Sequence, residues 1–204
     1  LAARASDDDL VICLISGGGS ALIALPQPTI SLADVQALTG ALLRCGATIN
    51  EINAVRKHIS RIKGGQLARL VHPAQVVSLI LSDVVGNPLD VIASGPTVPD
   101  TVTFVQAYGV LEKYDLLDKV PTSIIEHLAA GVAGKIAETP KKGDAVFATV
   151  YNLIVGSNEI AAWAALNRAR ELGFNTQLLS TYVEGEAREV AKVLAAVAKE
   201  MAKS

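Results

Sequence analysis

The chain has 204 residues, enough for one domain with a sizeable core and no need of a disulfide or metal staple. Half of the residues are hydrophobic but only 4% are aromatic, so the core is built from Ala, Val, Ile and Leu, as in α/β proteins with buried parallel strands. A formal charge of −2 offers no basic surplus for nucleic acid, and two cysteines without CxxC spacing give no zinc signature and suit a reducing, cytoplasmic compartment.

The stretch 10–33 carries no charge and is long enough to span a bilayer. Gly17–Gly19 and then Pro26 and Pro28 interrupt it, so only the block Leu10–Ile15 remains, which reads as a buried strand and not a membrane span. The strand runs into Ser16-Gly-Gly-Gly-Ser20. Ser31 with Asp34, and Thr48 with Glu51, have capping-box spacing and open two helices. The second is expected over 49–63, with Ile52, Val55, Ile59 and Ile62 on its apolar side, and Gly64-Gly65 bending or ending it. A short helix follows over 66–71. A second buried strand is expected over 76–81, ending at Ser82-Asp83, and the Gly- and Pro-rich stretch 84–100 is a loop. Helices follow near 104–114 and 121–130, then a polar connection over 131–143. The third strand lies within 145–155, a helix over 159–172 stops at Gly173, a fourth strand spans 176–179, and a last helix spans 187–203. Strands alternating with helices predict a three-layer αβα domain, Rossmann-like, with a mostly parallel sheet covered on both faces. Cys13 and Cys45 are expected as buried free thiols.

In open α/β sheets ligands bind beyond the carboxyl ends of the strands. Three such ends carry polar groups: 16–21, 82–86 and 156–158. Consecutive glycines at Gly17, Gly18 and Gly19 let backbone N–H groups approach a phosphate, and Ser20 adds a hydroxyl. The same glycines also fit a plain strand-to-helix turn. The loop lacks the GK[ST] ending of a Walker A motif, and Leu22 stands where a dinucleotide fingerprint has its third glycine. On the helix over 49–63, Asn53, Lys57, Ser60 and Gly64 share a face flanked by Arg56 and Lys63, a clamp for phosphate or carboxylate or else a solvated basic face. Asp83 at a strand end can hold Mg²⁺, or cap the following loop. His58 is expected off the stripe and partly buried, and His72 and His127 have no visible partners.

The runs Leu14-Ile-Ser-Gly-Gly-Gly-Ser-Ala21, Glu51-Ile-Asn-Ala-Val-Arg-Lys-His-Ile-Ser60, Ile62-Lys-Gly-Gly65, Ser82-Asp-Val84 and Ala93-Ser-Gly-Pro-Thr97 resemble, in order and spacing, the glycerate kinases that carry a C-terminal MOFRL domain. The resemblance covers nearly the whole chain and is weakest over 104–142. It implies ATP-dependent phosphorylation of D-glycerate, usually at the 2-hydroxyl, with Mg²⁺; members have also carried the label hydroxypyruvate reductase. It further implies that residues 1–204 form one domain lacking the family's opening segment and the MOFRL domain. On this reading Gly17, Gly18, Gly19, Ser20, Lys63 and Asn158 bind ATP, Asp83 positions Mg²⁺, Arg56 and Lys57 neutralise charge in catalysis, and Asn53 and Ser82 contact glycerate. The alternatives are an NAD(P)H-dependent reductase, against which the defective fingerprint argues, and a non-catalytic nucleotide- or sugar-binding domain. No nucleic-acid or membrane partner is expected, and a homo-oligomer is left open.

Overall fold

A computed structural model describes residues 2–203. The elements are β1 (Leu10–Ile15), α1 (Gly19–Leu22), α2 (Leu32–Arg44), α3 (Ile49–His58), α4 (Gln66–Val71), β2 (Gln75–Leu81), α5 (Phe104–Lys113), α6 (Thr122–Val132), β3 (Val150–Gly156), α7 (Asn158–Glu171) and α8 (Ala187–Met201). The three strands form one parallel sheet in the order β1-β2-β3. The fold is therefore α/β with a parallel sheet, as expected.

Register sorts the strand side chains into two faces. Val11, Val76 and Val150 stand level, as do Ile15, Ile80 and Ile154. On this face Ile15 and Ile80 bury themselves with Ile92 from the following loop. The opposite face carries Ile12, Leu14, Tyr151 and Leu153, of which Leu14 is 78% exposed. Among the described residues the outer layer is thus open over that face, and β1 is not the fully buried strand that its apolar run suggests. Six apolar residues in a row state only that both faces are apolar, not that both are covered.

The larger core lies among the helices. Leu38 and Leu42 of α2, Ile52 and Val55 of α3, Leu111 of α5 and Ile124 and Leu128 of α6 close it. His58 is buried here at 1% exposure, not at the half-buried position expected of it. Its Nδ1 donates to the Ala54 carbonyl at 2.7 Å and its ring packs edge-on to Phe104 at 4.7 Å. His127 donates from Nε2 to the His58 carbonyl at 2.9 Å, so it too has a partner. Both capping boxes form as expected, and a third joins Thr103 to Gln106 at the start of α5. Cys13 and Cys45 are free and only half-buried.

Two boundaries differ from expectation. Helix α3 ends at His58 rather than at residue 63. Beyond it Ile59 and Arg61 exchange backbone hydrogen bonds with the 25–27 segment, an antiparallel bridge at Pro26 and Ser60 that pulls the chain out of the helix. The Ser60 hydroxyl then accepts from the Ile62 and Lys63 N–H groups, a local bond that competes with helix continuation. The stretch 176–179 is not a strand, because no neighbouring strand pairs with it among the described residues. No described helix is long and apolar enough to cross a membrane.

Candidate active site

The carboxyl ends of β1, β2 and β3 lie along one edge of the parallel sheet, so the three polar strand ends share that edge. The first turns at Gly18, whose φ of 80° is left-handed, and passes into the single turn of α1. Gly17 is required for a different reason. A Cβ there would lie 2.9 Å from the Asp83 carboxyl carbon, so only glycine lets the carboxylate at the end of β2 approach the loop this closely. An open cleft is lined by Ser16–Gly18, Ser20, Asn53, Arg56, Asp83 and the 91–93 segment. Asp83 is exposed in it and makes no hydrogen bond among the described residues.

Two cations meet behind the loop. Arg56 Nη2 donates to the Ser20 carbonyl at 2.6 Å, and Lys63 Nζ donates to the same oxygen at 2.8 Å. Neither is ion-paired among the described residues, and Arg56 Nε is buried without a hydrogen-bond partner. Burial, with the Arg56 charge adding to it, pushes the Lys63 amine down to about 8; burial lowers Arg56 as well. Two desolvated cations on one carbonyl oxygen are short of negative charge, which makes the spot receptive to an anion.

Ser20 Oγ lies 2.7 Å from Ser94 Oγ, and Ser94 donates to Asn53 Oδ1 at 3.1 Å. Asn53 is thus tied to the glycine loop through a residue to which no role had been attached. Lys57 is placed elsewhere. It is 3% exposed and donates to Asp100 at 3.2 Å, with Asp90 at 3.8 Å. Asp100 also accepts from Thr139 and from the Val102 N–H. Lys57 does not line the cleft. The helical spacing put it on the right face, but its charge is already matched by a buried carboxylate 43 residues away in sequence. Ser82 folds back on the Val84 backbone, and Asn158 lies in a separate recess with Asn87 and Tyr182, so neither joins the glycine-loop cleft. The sequence analysis attached no role to Ser94, which lies inside the Ala93–Thr97 motif, or to Asp100, which closes the loop 84–100.

Residues 1–129 match the family model of a domain of unknown function designated DUF4147. The chain belongs to this family. The matched stretch of DUF4147 contains the glycine loop, Asn53, Arg56, Lys57, Lys63, Ser82 and Asp83, and leaves out Asn158. The chain is 45% identical over 199 residues to a protein of Pyrococcus horikoshii named glycerate 2-kinase, covering 98% of this chain and 44% of that protein. It is 44% identical to a glycerate kinase of Danio rerio, covering 95% and 38%. A crystal structure of glycerate kinase from Thermotoga maritima superposes with a TM-score of 0.83 at 42% identity, over 97% of this chain and 44% of that one. The chain therefore spans less than half the length of these relatives. Their names carry the kinase expectation and neither of its alternatives.

Proposed function

We propose that this DUF4147 chain forms the nucleotide-loop part of an ATP-dependent kinase that phosphorylates D-glycerate at its 2-hydroxyl. The observation that carries the proposal is the pairing of an anion-hungry spot with a lone carboxylate. Arg56 and Lys63 stand unpaired behind Ser20, while Asp83 faces the same loop with free oxygens. The relatives' names supply the substrate.

In this reading the backbone N–H groups of Gly17, Gly18 and Ser20 face the nucleotide phosphates, while the Gly19 N–H, donated to the Ser16 carbonyl at 3.2 Å, shapes the loop. Arg56 and Lys63 compensate the negative charge of phosphate or of the glycerate carboxylate. Among the described residues no group of three His, Cys, Asp or Glu could hold an ion, which excludes an all-protein cage. Mg²⁺ fits nonetheless, because it commonly uses one or two carboxylates and takes its remaining ligands from water and phosphate. Asp83 is the residue that would hold it, and the ion would neutralise charge between the phosphates. Residues of this chain then act by positioning and electrostatics, since phosphoryl transfer demands little covalent chemistry of the protein. Lys57, matched by Asp100, stiffens the base of α3 rather than contacting substrate. Ser82 and Asn158 shape the neighbouring strand ends.

Steady-state kinetics with ATP, Mg²⁺ and D-glycerate test this in the longest natural polypeptide that contains residues 1–204. Asp83→Asn is expected to lower kcat by orders of magnitude with an unchanged melting temperature. An Asp83→Asn protein with ordinary kcat and ordinary Mg²⁺ dependence would remove Asp83 from the site.

A further inference from the structure

The motif Ala93–Thr97 has an uncommon backbone. Ala93, Ser94 and Gly95 have φ of 51°, 62° and 60°, three consecutive left-handed residues of which one is glycine. Non-glycine residues persist in this region where their surroundings over-determine them. Here the surroundings are specific. The Gly64 N–H donates to the Ser94 carbonyl at 2.9 Å and the Gly65 N–H to the Gly95 carbonyl at 2.7 Å. Three residues on, Thr97 is stitched to the sheet, accepting from Ser78 at 3.0 Å and donating to Asn152 Oδ1 at 2.6 Å. The result is a fully buried Ser94 whose hydroxyl stands between the glycine loop and α3.

Proton count orients this chain. Ser94 has one hydroxyl proton, and the Asn53 Oδ1 carbonyl can only accept, so that proton goes to Asn53. The Ser20 hydroxyl must then be the donor in its 2.7 Å contact with Ser94. Its single proton is used inward. On the other side Lys63 Nζ donates to Ser20 Oγ at 3.4 Å, which suits an oxygen acting as acceptor there.

The geometry points to Ser94 as a positioning residue that locks Ser20 with its proton turned inward, so that the glycine loop meets its ligand with backbone N–H groups and not with the Ser20 hydroxyl. The strained turn exists to bring one serine hydroxyl to this point. The kinetic part of the inference rests on the kinase reading above; the conformational part does not.

Ser94→Gly separates the two effects of the residue. Glycine accepts φ of 62° without strain, and that relief offsets part of the loss when the buried Asn53 Oδ1 is left without its donor, so the protein should stay folded with a modestly lower melting temperature. Hydrogen–deuterium exchange over residues 17–21 should become faster, and kcat/KM for ATP should fall on the order of a hundredfold, as for a displaced catalytic group. Ser20→Ala should reproduce both changes, and the double variant should be no worse than either single one, because the two serines act as one unit. Additive kinetic losses, or a loss on Ser20→Ala with none on Ser94→Gly, would overturn the inference and make the Ser20 hydroxyl a direct ligand donor. Unchanged exchange over 17–21 in both variants would overturn it as well. Faster exchange in a protein whose wild type does not phosphorylate glycerate would retain the positioning role and reject the kinase reading instead. Should Ser94→Gly fail to fold, loop exchange in Ser20→Ala still decides between inward and outward use of the hydroxyl.

Discussion

Two lysines six positions apart differ in what surrounds them. Lys57 is buried against Asp100, and truncating it leaves that carboxylate without its cation. Lys57→Ala is expected to destabilise the fold by roughly 3–5 kcal/mol, measured by denaturant unfolding. Lys63 has no carboxylate, and its amine already prefers the neutral form as pH rises past about 8. Lys63→Ala should leave stability nearly unchanged while weakening anion binding by about 1.5–3 kcal/mol. The sign of the pH dependence follows. A bound anion favours the charged amine, so binding takes up a proton, is strongest below pH 8 and weakens as pH rises through it. Nucleotide affinity is expected to be about tenfold lower at pH 9 than at pH 7, measured by calorimetry, with the difference absent in Lys63→Ala. Identical affinities at both pH values would contradict the role of Lys63. From the residue pattern alone both lysines read as one basic stripe. Which of them was free depended on Asp100, whose contact crosses 43 residues and leaves no trace in local spacing.

At the scale of elements, local chemistry was the most legible. Thr48 and Glu51 announce the start of α3 by their spacing, and the structure closes both halves of that box, with Thr48 Oγ1 accepting from the Glu51 N–H at 3.3 Å. Thr48→Ala should cost about 1 kcal/mol in thermal or denaturant unfolding. The Lys113 ammonium, followed by the Thr48 backbone and the Thr48 and Tyr114 hydroxyls, holds the Glu51 carboxyl down to about 2. Its folded-state value lies below its ordinary one of 4.5, so the stabilisation is present above pH 4.5 and is lost as pH falls toward 2. Glu51→Gln should flatten the acid limb of the stability curve over that window. The far end of α3 was not legible. Ile59 and Ile62 continue the helical spacing, but the bridge to Pro26 is a tertiary contact that overrides it. The segment 176–179 failed for the converse reason: its composition suits a strand, and a strand needs a neighbour that composition does not name.

At the scale of the molecule, alternation of strand and helix was enough to read a parallel sheet, and the sheet brings the three polar strand ends to one edge. Periodicity was silent on how the layers close. An unbroken apolar strand looks the same whether one face or both are covered, and here one face is open at Leu14 while its neighbour Ile15 is buried at 8% exposure. The two positions give a direct contrast. Ile15→Ala should cost roughly 2–5 kcal/mol, whereas Leu14→Ala should stay within about 0.5 kcal/mol in residues 1–204 alone. The candidate site was legible only as a set of polar residues near one sheet edge. The glycine loop, Asn53, Arg56, Lys63 and Asp83 do come together, while Ser94 enters through a backbone conformation that no residue pattern encodes. The proposed reaction is transfer of a phosphoryl group from ATP to the 2-hydroxyl of D-glycerate. Phosphorus NMR of ATP, Mg²⁺ and D-glycerate incubated with the longest natural polypeptide containing residues 1–204 tests it most directly. ADP and 2-phosphoglycerate are expected in equal amounts, and an ATP signal that stays intact with no phosphoglycerate formed would contradict the kinase proposal.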